Sequence, residues 1–568
     1  MDLRELRISL GLTQLECANY LKMSLRNYQN YENNITKNIA KKNALFKKLE
    51  QYNNKVSQEK EYYTNIITGN DLKMLCMSVK NYKKRDCFKS LKSFIDNDLS
   101  GKICILYGLR RTGKTTLIFQ LLNELPYEES AYIKVQTKDS MSSLTKDLKE
   151  LYKNGYKYVC IDEITLLNDF IDTAAVLSDV FSMMGMKIVV SGTDSLGFAL
   201  SSRDELYDRN IMIHTSYISF KEYFKVLNIN SIDKYIEYGG TLKIENMNFD
   251  DPEFTLDDIS FRDDETTRKY IDTAISKNIQ HSLKNDKDGM YFNQLRTLYD
   301  NNELTNVINR IVESMNHEFL VRIIEEEFKS HDLGSAKNLL LHDAPEDRAY
   351  VLENIDKEKV TTILKSLVEI KETYETKVHV TQEHIDKVKS YLKVLDLIVN
   401  IPVRYESGSR DEYYVFTQPG MRYSLVKALV YSLMKDSYFS QIPETDKLYI
   451  IEKISTDVKG RMMEDIVLLE VSKSINKNKE AFKLKFDLGG EIDMIIYDRE
   501  TNTNKIFEIK HSEKASRHQT RHLTDQNKCQ YIEKIYGETI GKYVIYRGEN
   551  KIIDGIEYLN VEEYLCTL

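Results

Sequence analysis

Prolines are scarce, six in 568 residues, and there are only 22 glycines. That scarcity excludes collagen-like and mucin-like chains. With 42% hydrophobic and 30% charged residues, it also excludes a wholly disordered chain. Cysteines are few and scattered, at positions 17, 76, 87, 104, 160, 529 and 566, and none forms a CxxC pair. An odd number in a long chain argues for a reduced cytosolic interior, against a disulfide frame or a zinc site. Long apolar runs are missing too. ICILYGL and KIVVSG fall far short of the roughly 18–20 residues that span a bilayer, and MDLRELRISLG has no apolar signal core. The expectation is a soluble cytoplasmic protein with no membrane partner. There is no large excess of positive charge either: 80 basic against 88 acidic residues leave a net charge of -8, which argues against nucleic acid bound along the whole length. The length itself suits about three or four domains of roughly 150 residues.

The local charge is different at the start. Residues 1–55 hold ten Lys/Arg against five Asp/Glu, the reverse of the whole chain. The segment LRELRISLGLTQLECANYLKMSLRNYQNYENN divides into three short helices. Leu3, Leu6 and Leu10 form a core stripe, and Gly11 ends the first helix. Thr13 caps the second, with Leu15, Ala18 and Leu21 facing inward. Ser24 caps the third, with Leu25, Tyr28 and Tyr31 on its inner side. These residues resemble the helix-turn-helix of phage-repressor and Xre-type regulators, in G-L-T-Q, Ala18, Met23 and the closing Y-E-N. The resemblance implies a third helix in the major groove of double-stranded DNA. Gln14, Arg26, Asn27, Gln29 and Asn30 would then face DNA, with Lys37, Lys41 and Lys42 on phosphates. A small helical bundle for protein contact is the alternative.

From 101 to about 220, short apolar runs (KICILYG, SAYIKV, YKYVCIDE, MKIVVSGT) alternate with helical patterns, as in a parallel α/β sheet. The run Gly108-Leu-Arg-Arg-Thr-Gly113-Lys114-Thr115 satisfies GxxxxGK[ST] between a strand and a helix, the setting a phosphate-binding loop needs. Its glycines let backbone amides curl around phosphates at a helix N-terminus. Gly108, Arg110, Arg111, Thr112, Gly113, Lys114, Thr115 and Thr116 are thus candidate ATP contacts, with Lys114 on the β- and γ-phosphates and Thr115 on Mg2+. Asp162 ends a buried strand and suits Mg2+. Glu163 suits a base that orients the attacking water. Ser191, Gly192, Thr193 and Asp194 bring small polar groups near the γ-phosphate. Together with Arg209, S-F-K-E-Y at 219–223 and Y-G-G at 238–240, these residues resemble AAA-type ATPases of the archaeal-ATPase group, relatives of STAND NTPases. The likeness runs from about 80 to 285. It implies that Thr193 is a sensor and leaves two roles open for Arg209, nucleotide sensing or pairing with an acid. No separate arginine-finger motif stands out, and a homo-oligomer is left open.

Residues 231–400 are largely helical in pattern, apart from an acidic stretch from Asp250 to Glu265 that reads as a solvated loop. Between 383 and 436 the order is helix, a strand pair around Gly408, then a helix after Pro419-Gly420. Either a winged helix or a helical spacer fits. In the last segment, Glu464 sits on the first turns of GRMMEDIVLLEVSKSI, Asp493 at the start of an apolar strand, and Glu508-Ile509-Lys510 at the end of the next. Alternation puts Glu508 and Lys510 on one face, and a hairpin brings Asp493 beside them. Two carboxylates bind Mg2+, and a lysine beside them stabilises charge developing at phosphorus. These residues resemble the PD-(D/E)xK nuclease fold. The resemblance makes Asp493, Glu508 and Lys510 catalytic and puts Glu464 on the metal, with Gln526 a weaker match.

The expected fold is a multidomain α/β chain: a small all-α helix-turn-helix at 1–55, a helical connector at 56–95, a P-loop α/β ATPase core at 96–230, a helical lid at 231–300, a helical region at 301–440 that includes the winged-helix candidate, and an α/β PD-(D/E)xK-like domain at 441–568. The leading functional expectation is a DNA-associated ATPase, with ATP and Mg2+ as cofactors, that controls a C-terminal endonuclease, as in mobile-element or phage-defence proteins. The rivals are a STAND-type ATP-switched transcriptional regulator with a silent nuclease fold, and a remodelling ATPase whose termini bind proteins.

Overall fold

The computed structural model describes residues 3–9, 12–33, 35–36, 38–56, 62–167, 169–193, 198, 206–215, 217–242, 261, 264–285, 293–329, 380–434 and 444–568. The chain divides into two compact units, 1–65 and 66–568.

The first unit is a helical bundle: α1 (Leu3–Ser9), α2 (Gln14–Tyr20), α3 (Leu25–Glu32) and α4 (Ile39–Val56). Thr13 caps α2 in a capping box with Glu16, and Ser24 caps α3, so both expected starts form. Leu3, Leu6, Cys17, Ala18, Leu21, Tyr28 and Tyr31 pack with Leu45 and Leu49 of α4. Two expected core residues are not buried: Leu15 is 54% exposed and Leu25 sits at the surface. Cys17 takes the inward place, because Thr13 and Glu16 fix the start of α2 and therefore which face turns in. Leu10, Gly11 and Lys37 lie outside the described residues.

The second unit holds two sheets. Six strands, β1 (Asn65–Thr68), β2 (Ile103–Tyr107), β3 (Ser130–Lys134), β4 (Tyr158–Asp162), β5 (Lys187–Gly192) and β6 (Asn210–His214), run in the order β1-β3-β4-β5-β2-β6. β2 to β6 pair in parallel throughout. The central strands are buried on both faces, which is why they read as continuous apolar runs. The amphipathic stretch before them forms the helix Phe88–Asp96, which buries Phe88, Leu91, Phe94 and Ile95.

The second sheet has eight strands: β7 (Ile398–Tyr405), β8 (Arg410–Phe416), β9 (Lys479–Lys485), β10 (Glu491–Asp498), β11 (Thr503–Lys510), β12 (Glu538–Tyr546), β13 (Lys551–Ile553) and β14 (Ile556–Asn560), in the order β13-β14-β12-β11-β10-β9-β7-β8. The strand pair expected around Gly408 forms as β7 and β8, but it does not stand apart as a wing. β7 pairs in parallel with β9, so the hairpin completes one edge of the C-terminal sheet. The same sheet therefore draws strands from both sides of residue 440. The helix carrying Glu464 runs from Glu444 to Ser474, so Glu464 lies well inside it, not on its first turns. One apolar core joins this helix to the segment 217–242, to Phe319, Leu320 and Ile323 of the helix Leu304–Lys329, and to β9–β11. Asp194 and most of the acidic stretch 250–265 fall outside the described residues. Among those described, no helix is long and apolar enough to cross a membrane.

Candidate functional site

The phosphate-loop sequence folds as its spacing predicts, after β2 and into the helix Lys114–Leu122. Gly108 has φ 143° and Gly113 φ 83°, both in the left-handed region. A Cβ at Gly108 would collide with the carbonyl and hydroxyl of Thr215. The loop is tied from outside through three consecutive carbonyls. Tyr270 Oη donates to Arg110 (3.3 Å), Leu242 N to Arg111 (2.8 Å) and Arg85 to Thr112 (2.8 Å). Carbonyls engaged on the outside suit a loop whose amides serve phosphates.

Lys114 is buried, and its Nζ donates to the carbonyls of Gly108 (2.8 Å) and Leu109 (2.7 Å). Burial pushes its pKa down to about 8, a shift that Glu163 and Asp162 partly oppose. Thr115 Oγ1 donates to Asp162 Oδ2 at 3.0 Å, so the two expected Mg2+ partners meet. Asp162 also accepts from Tyr132 (2.9 Å), Lys134 (2.8 Å) and Ser191. Burial alone would raise its pKa, but Lys134, Ser191 and Tyr132 outweigh that and hold it ionised. Two hard oxygen donors at the foot of the loop fit Mg2+. Glu163 follows with φ 60°, and Thr193 Oγ1 lies 3.5 Å from its carboxylate and 3.4 Å from Asn278 Oδ1. The acid and the candidate sensor therefore adjoin, while Arg110, Arg111, Thr112 and Thr116 lie in or just after the loop.

Arg209 does not belong here. It precedes β6, whose parallel register sets Asn210 beside Ile103, and its carbonyl accepts from Ile103 N (3.0 Å). That is the N-terminal end of the sheet, a strand length of about 16 Å from the loop at roughly 3.3 Å per residue. Its side chain pairs with Asp179 at 3.1 Å, so of its two readings the ion pair is realised.

Sequence reasoning missed Arg85. Its guanidinium pairs with Glu222 of S-F-K-E-Y, and both are buried. Glu222 also accepts from Asp86 N at 2.9 Å. The signature acid thus holds an arginine that holds the phosphate loop. The clue was an arginine just before the first helix of the core, with an acid fixed in the later motif.

The second site lies on β10 and β11. A bulge between Ile492 and Ile495 frees Asp493 from the ladder, and its Oδ2 accepts from Ile509 N and Lys510 Nζ, both at 2.8 Å. Lys510 Nζ also reaches Glu508 Oε2 at 2.7 Å. Glu508 is buried, and its Oε1 has no hydrogen-bond partner. Burial and the Asp493 charge push the Glu508 carboxyl well up, against Lys510. Burial would lower Lys510, but Asp493 and Glu508 outweigh it and keep the ammonium charged. The structure also gathers Glu464, Glu491 and Asp493, with one oxygen of each within 4.8 Å of the others. Glu491 was missed, although it shares a strand face with Asp493 two residues on. Burial would raise its pKa, but Lys483, Arg461 and Lys485 hold it well below the usual range. Glu464 accepts from Arg461 (2.7 Å) and Lys483 (2.8 Å). The gathered oxygens of Glu464, Glu491 and Asp493 are a hard-donor set that fits a divalent cation, and the orphan oxygen of Glu508 lies on the neighbouring strand. Gln526 starts the helix Gln526–Tyr536 and is exposed. Gln519 instead lines the cavity of about 310 Å³ that holds Glu464, Lys510 and His511.

Helices after the ATPase core reach this region. His511 Nε2 lies 2.8 Å from Asp233 Oδ1 on the helix Ile232–Tyr238, and Arg547 lies 2.9 Å from the other oxygen. Phe220 N donates to Glu470 at 2.9 Å, and Lys459 pairs with Glu237 at 2.8 Å.

In the first unit, Arg7 pairs with buried Glu32 at 2.8 Å. Glu32 also accepts from Gln14, whose Oε1 accepts from Gln29 at 2.9 Å. Gln14 and Gln29 are thereby held together. Arg26 and Asn27 are exposed and Asn30 is half-buried.

A P-loop with its strand-end acid on a parallel sheet defines a nucleoside-triphosphate-binding fold, and the middle of this chain is similar to AAA-family domains. Residues 100–224 match the family model described as an AAA domain. A curated relative, the uncharacterised protein MJ1544 of Methanocaldococcus jannaschii, is 28% identical over 202 residues, which cover 34% of this chain and 45% of the relative. The chain therefore spans under half the length of that relative. Among solved structures, the ORC1 protein of Aeropyrum pernix in complex with DNA is 12% identical with a TM-score of 0.23, covering 64% of this chain and 97% of its own. AMPPCP-bound DnaA from Aquifex aeolicus is 13% identical with a TM-score of 0.21, covering 58% and 87%.

Proposed function

We propose that this protein is a DNA-associated ATPase whose nucleotide state controls a Mg2+-dependent endonuclease of PD-(D/E)xK type at its C-terminal end. The observation that carries this reading is the contact of Asp233 with His511, the residue after Lys510. A helix that follows the ATPase core thereby bonds to the residue that directly follows the strand bearing the E-x-K lysine.

In the ATPase, Gly108 and Gly113 give the loop its curl, Lys114 binds the β- and γ-phosphates, and Thr115 with Asp162 hold Mg2+. Glu163 orients water, and Thr193 orients Glu163. In the nuclease, Asp493, Glu508 and Glu464 would hold the metal, which when bound supplies Lewis acidity at the scissile phosphate. Lys510, kept protonated by its two carboxylates, stabilises the charge that develops there. The pair Gln14 and Gln29, with Arg26, Asn27 and Asn30, suits a duplex-reading face on the first unit. What supports that face is its local positive charge and the preset glutamines.

The test is cleavage of supercoiled, duplex and single-stranded DNA with Mg2+, in ATP and in ADP. Wild type should cut, Lys510→Ala should bind metal without cutting, because an ammonium is no ligand, and Asp233→Asn should blunt the difference between nucleotides. Intact DNA in every arm would leave the silent-fold regulator. One observation favours that second reading: Arg461 and Lys483 already occupy Glu464.

A further inference from the structure

The β9–β10 turn and the segment 514–528 form one surface beside the nuclease cavity. Between 514 and 528 stand four Lys/Arg and two His against one acid, Asp525, in a chain of net charge -8. Asp525 is used locally, accepting from Asn527 N (3.0 Å) and Lys528 N (3.2 Å). Lys514, Arg517, His518 and Arg521 are exposed, and Arg517 reaches the exposed Asp554 at 3.3 Å.

The cations crowd one another. Lys528 Nζ lies 2.7 Å from His522 Nδ1, and Arg521 Nε lies 2.9 Å from His522 Nε2. A neutral imidazole has a single acceptor nitrogen, so one of these contacts sets a donor against a donor. Burial, Lys528 and Arg521 together hold the His522 pKa down at about 4, so the ring does not add a charge near neutrality. An anion that accepts from Arg521 or Lys528 would relieve the conflict.

The turn is seated on these cations. Lys528 Nζ donates to Gly489 O at 3.2 Å, and a Cβ at Gly490 would come within 2.5 Å of both His522 Cε1 and Lys528 Nζ. At its tip Leu488 is fully exposed, at 101%. Leu488 is a lone exposed leucine on a turn that also carries the exposed Asp487, whose N donates to Glu406 at 3.1 Å, while Lys528 holds the Gly489 carbonyl beside it. That leucine suits insertion between stacked bases while the cations take the flanking phosphates. Gln519 lines the cavity that also holds Glu464 and Lys510, so the surface runs into the site.

We propose that this surface binds the phosphodiester backbone of duplex DNA, with Arg517, Arg521 and Lys528 on phosphates and Leu488 as a wedge at a base step. Only its purpose, delivering DNA to the cavity, rests on the nuclease reading; the binding itself does not. The experiment uses the full chain carrying Arg26→Ala and Asn27→Ala to silence the first unit, in EDTA so that nothing is cut. The probe is a short duplex with 2-aminopurine at a central step. Arg517→Glu with Arg521→Glu should weaken binding at least about tenfold and make the log–log salt slope shallower by roughly two. Leu488→Ala, fully exposed and so without effect on folding, should leave the salt slope alone and abolish the 2-aminopurine fluorescence rise. Duplex affinity untouched by the charge reversals would overturn the proposal. So would charge-dependent capture of polyglutamate with no duplex binding, which would mark an acidic protein partner. Because no cleavage is read, failure here is separate from failure of the nuclease reading, which cutting with Mg2+ decides.

Discussion

Replacing Arg85 by alanine should damage both the fold and the nucleotide site. The substitution strands Glu222, which is 6% exposed and retains a bond from Asp86 N, and it strips the Thr112 carbonyl of its donor. Breaking one side of a buried pair costs about 3–5 kcal/mol, because the remaining charge stays buried without compensation. Domains are stable by about 5–15 kcal/mol, so that is a large fraction of the margin. At roughly 2–4 °C per kcal/mol for a domain of this size, the ATPase transition should fall by about 10 °C in calorimetry. Arg85→Met with Glu222→Gln removes both charges and should lose less than the two single changes added together. Arg85→Lys keeps the charge but not the fork that serves Thr112 and Glu222 at once, so it should melt near wild type and bind ATP more weakly. Arg85→Ala melting within about 1 °C of wild type, with unchanged ATP affinity, would refute the argument.

Lys114→Ala should lower ATP affinity by about 2–3 kcal/mol, roughly a hundredfold, by removing a charge-assisted contact; calorimetry giving the wild-type constant would overturn the loop assignment. Glu470 should give a pH signature. Burial raises its pKa from 4.5 to about 7, against the bonds from Phe220 N, Tyr235 and Tyr217. Below about 4.5 the acid is protonated folded or unfolded. As pH rises towards about 7 only the folded state keeps the proton, so stability is lost across that window. Glu470→Gln should therefore gain on wild type from about pH 4.5 to 7 and level off above; a melting difference constant over that range would dispose of the idea.

The legible parts were those whose geometry is written in adjacent residues. The loop from Gly108 to Thr115 lies between a strand and a helix that are its immediate neighbours, and β4 ends at Asp162 because its apolar run ends there. Thr13 and Ser24 cap helices through amides three residues on. Asp493, Glu508 and Lys510 meet because a short turn joins their strands. Leu15 and Leu25 misled because hydrophobicity alone does not say which face of a short helix turns inward.

The sequence by itself therefore determined two local patterns: a phosphate loop with its strand-end acid, and an E-x-K hairpin. Tertiary structure decided what surrounds them. It sent Arg209 to the far end of the sheet, since the strand crossovers set which end of β6 meets which end of β2. It joined β7 to β9, brought Glu491 to Asp493, paired Arg85 with Glu222 across 137 residues, and set Asp233 on His511 across 278. Contacts at such separations leave no period or motif in the chain, because they depend on how whole elements pack, and packing is settled only when every apolar face has found its cover.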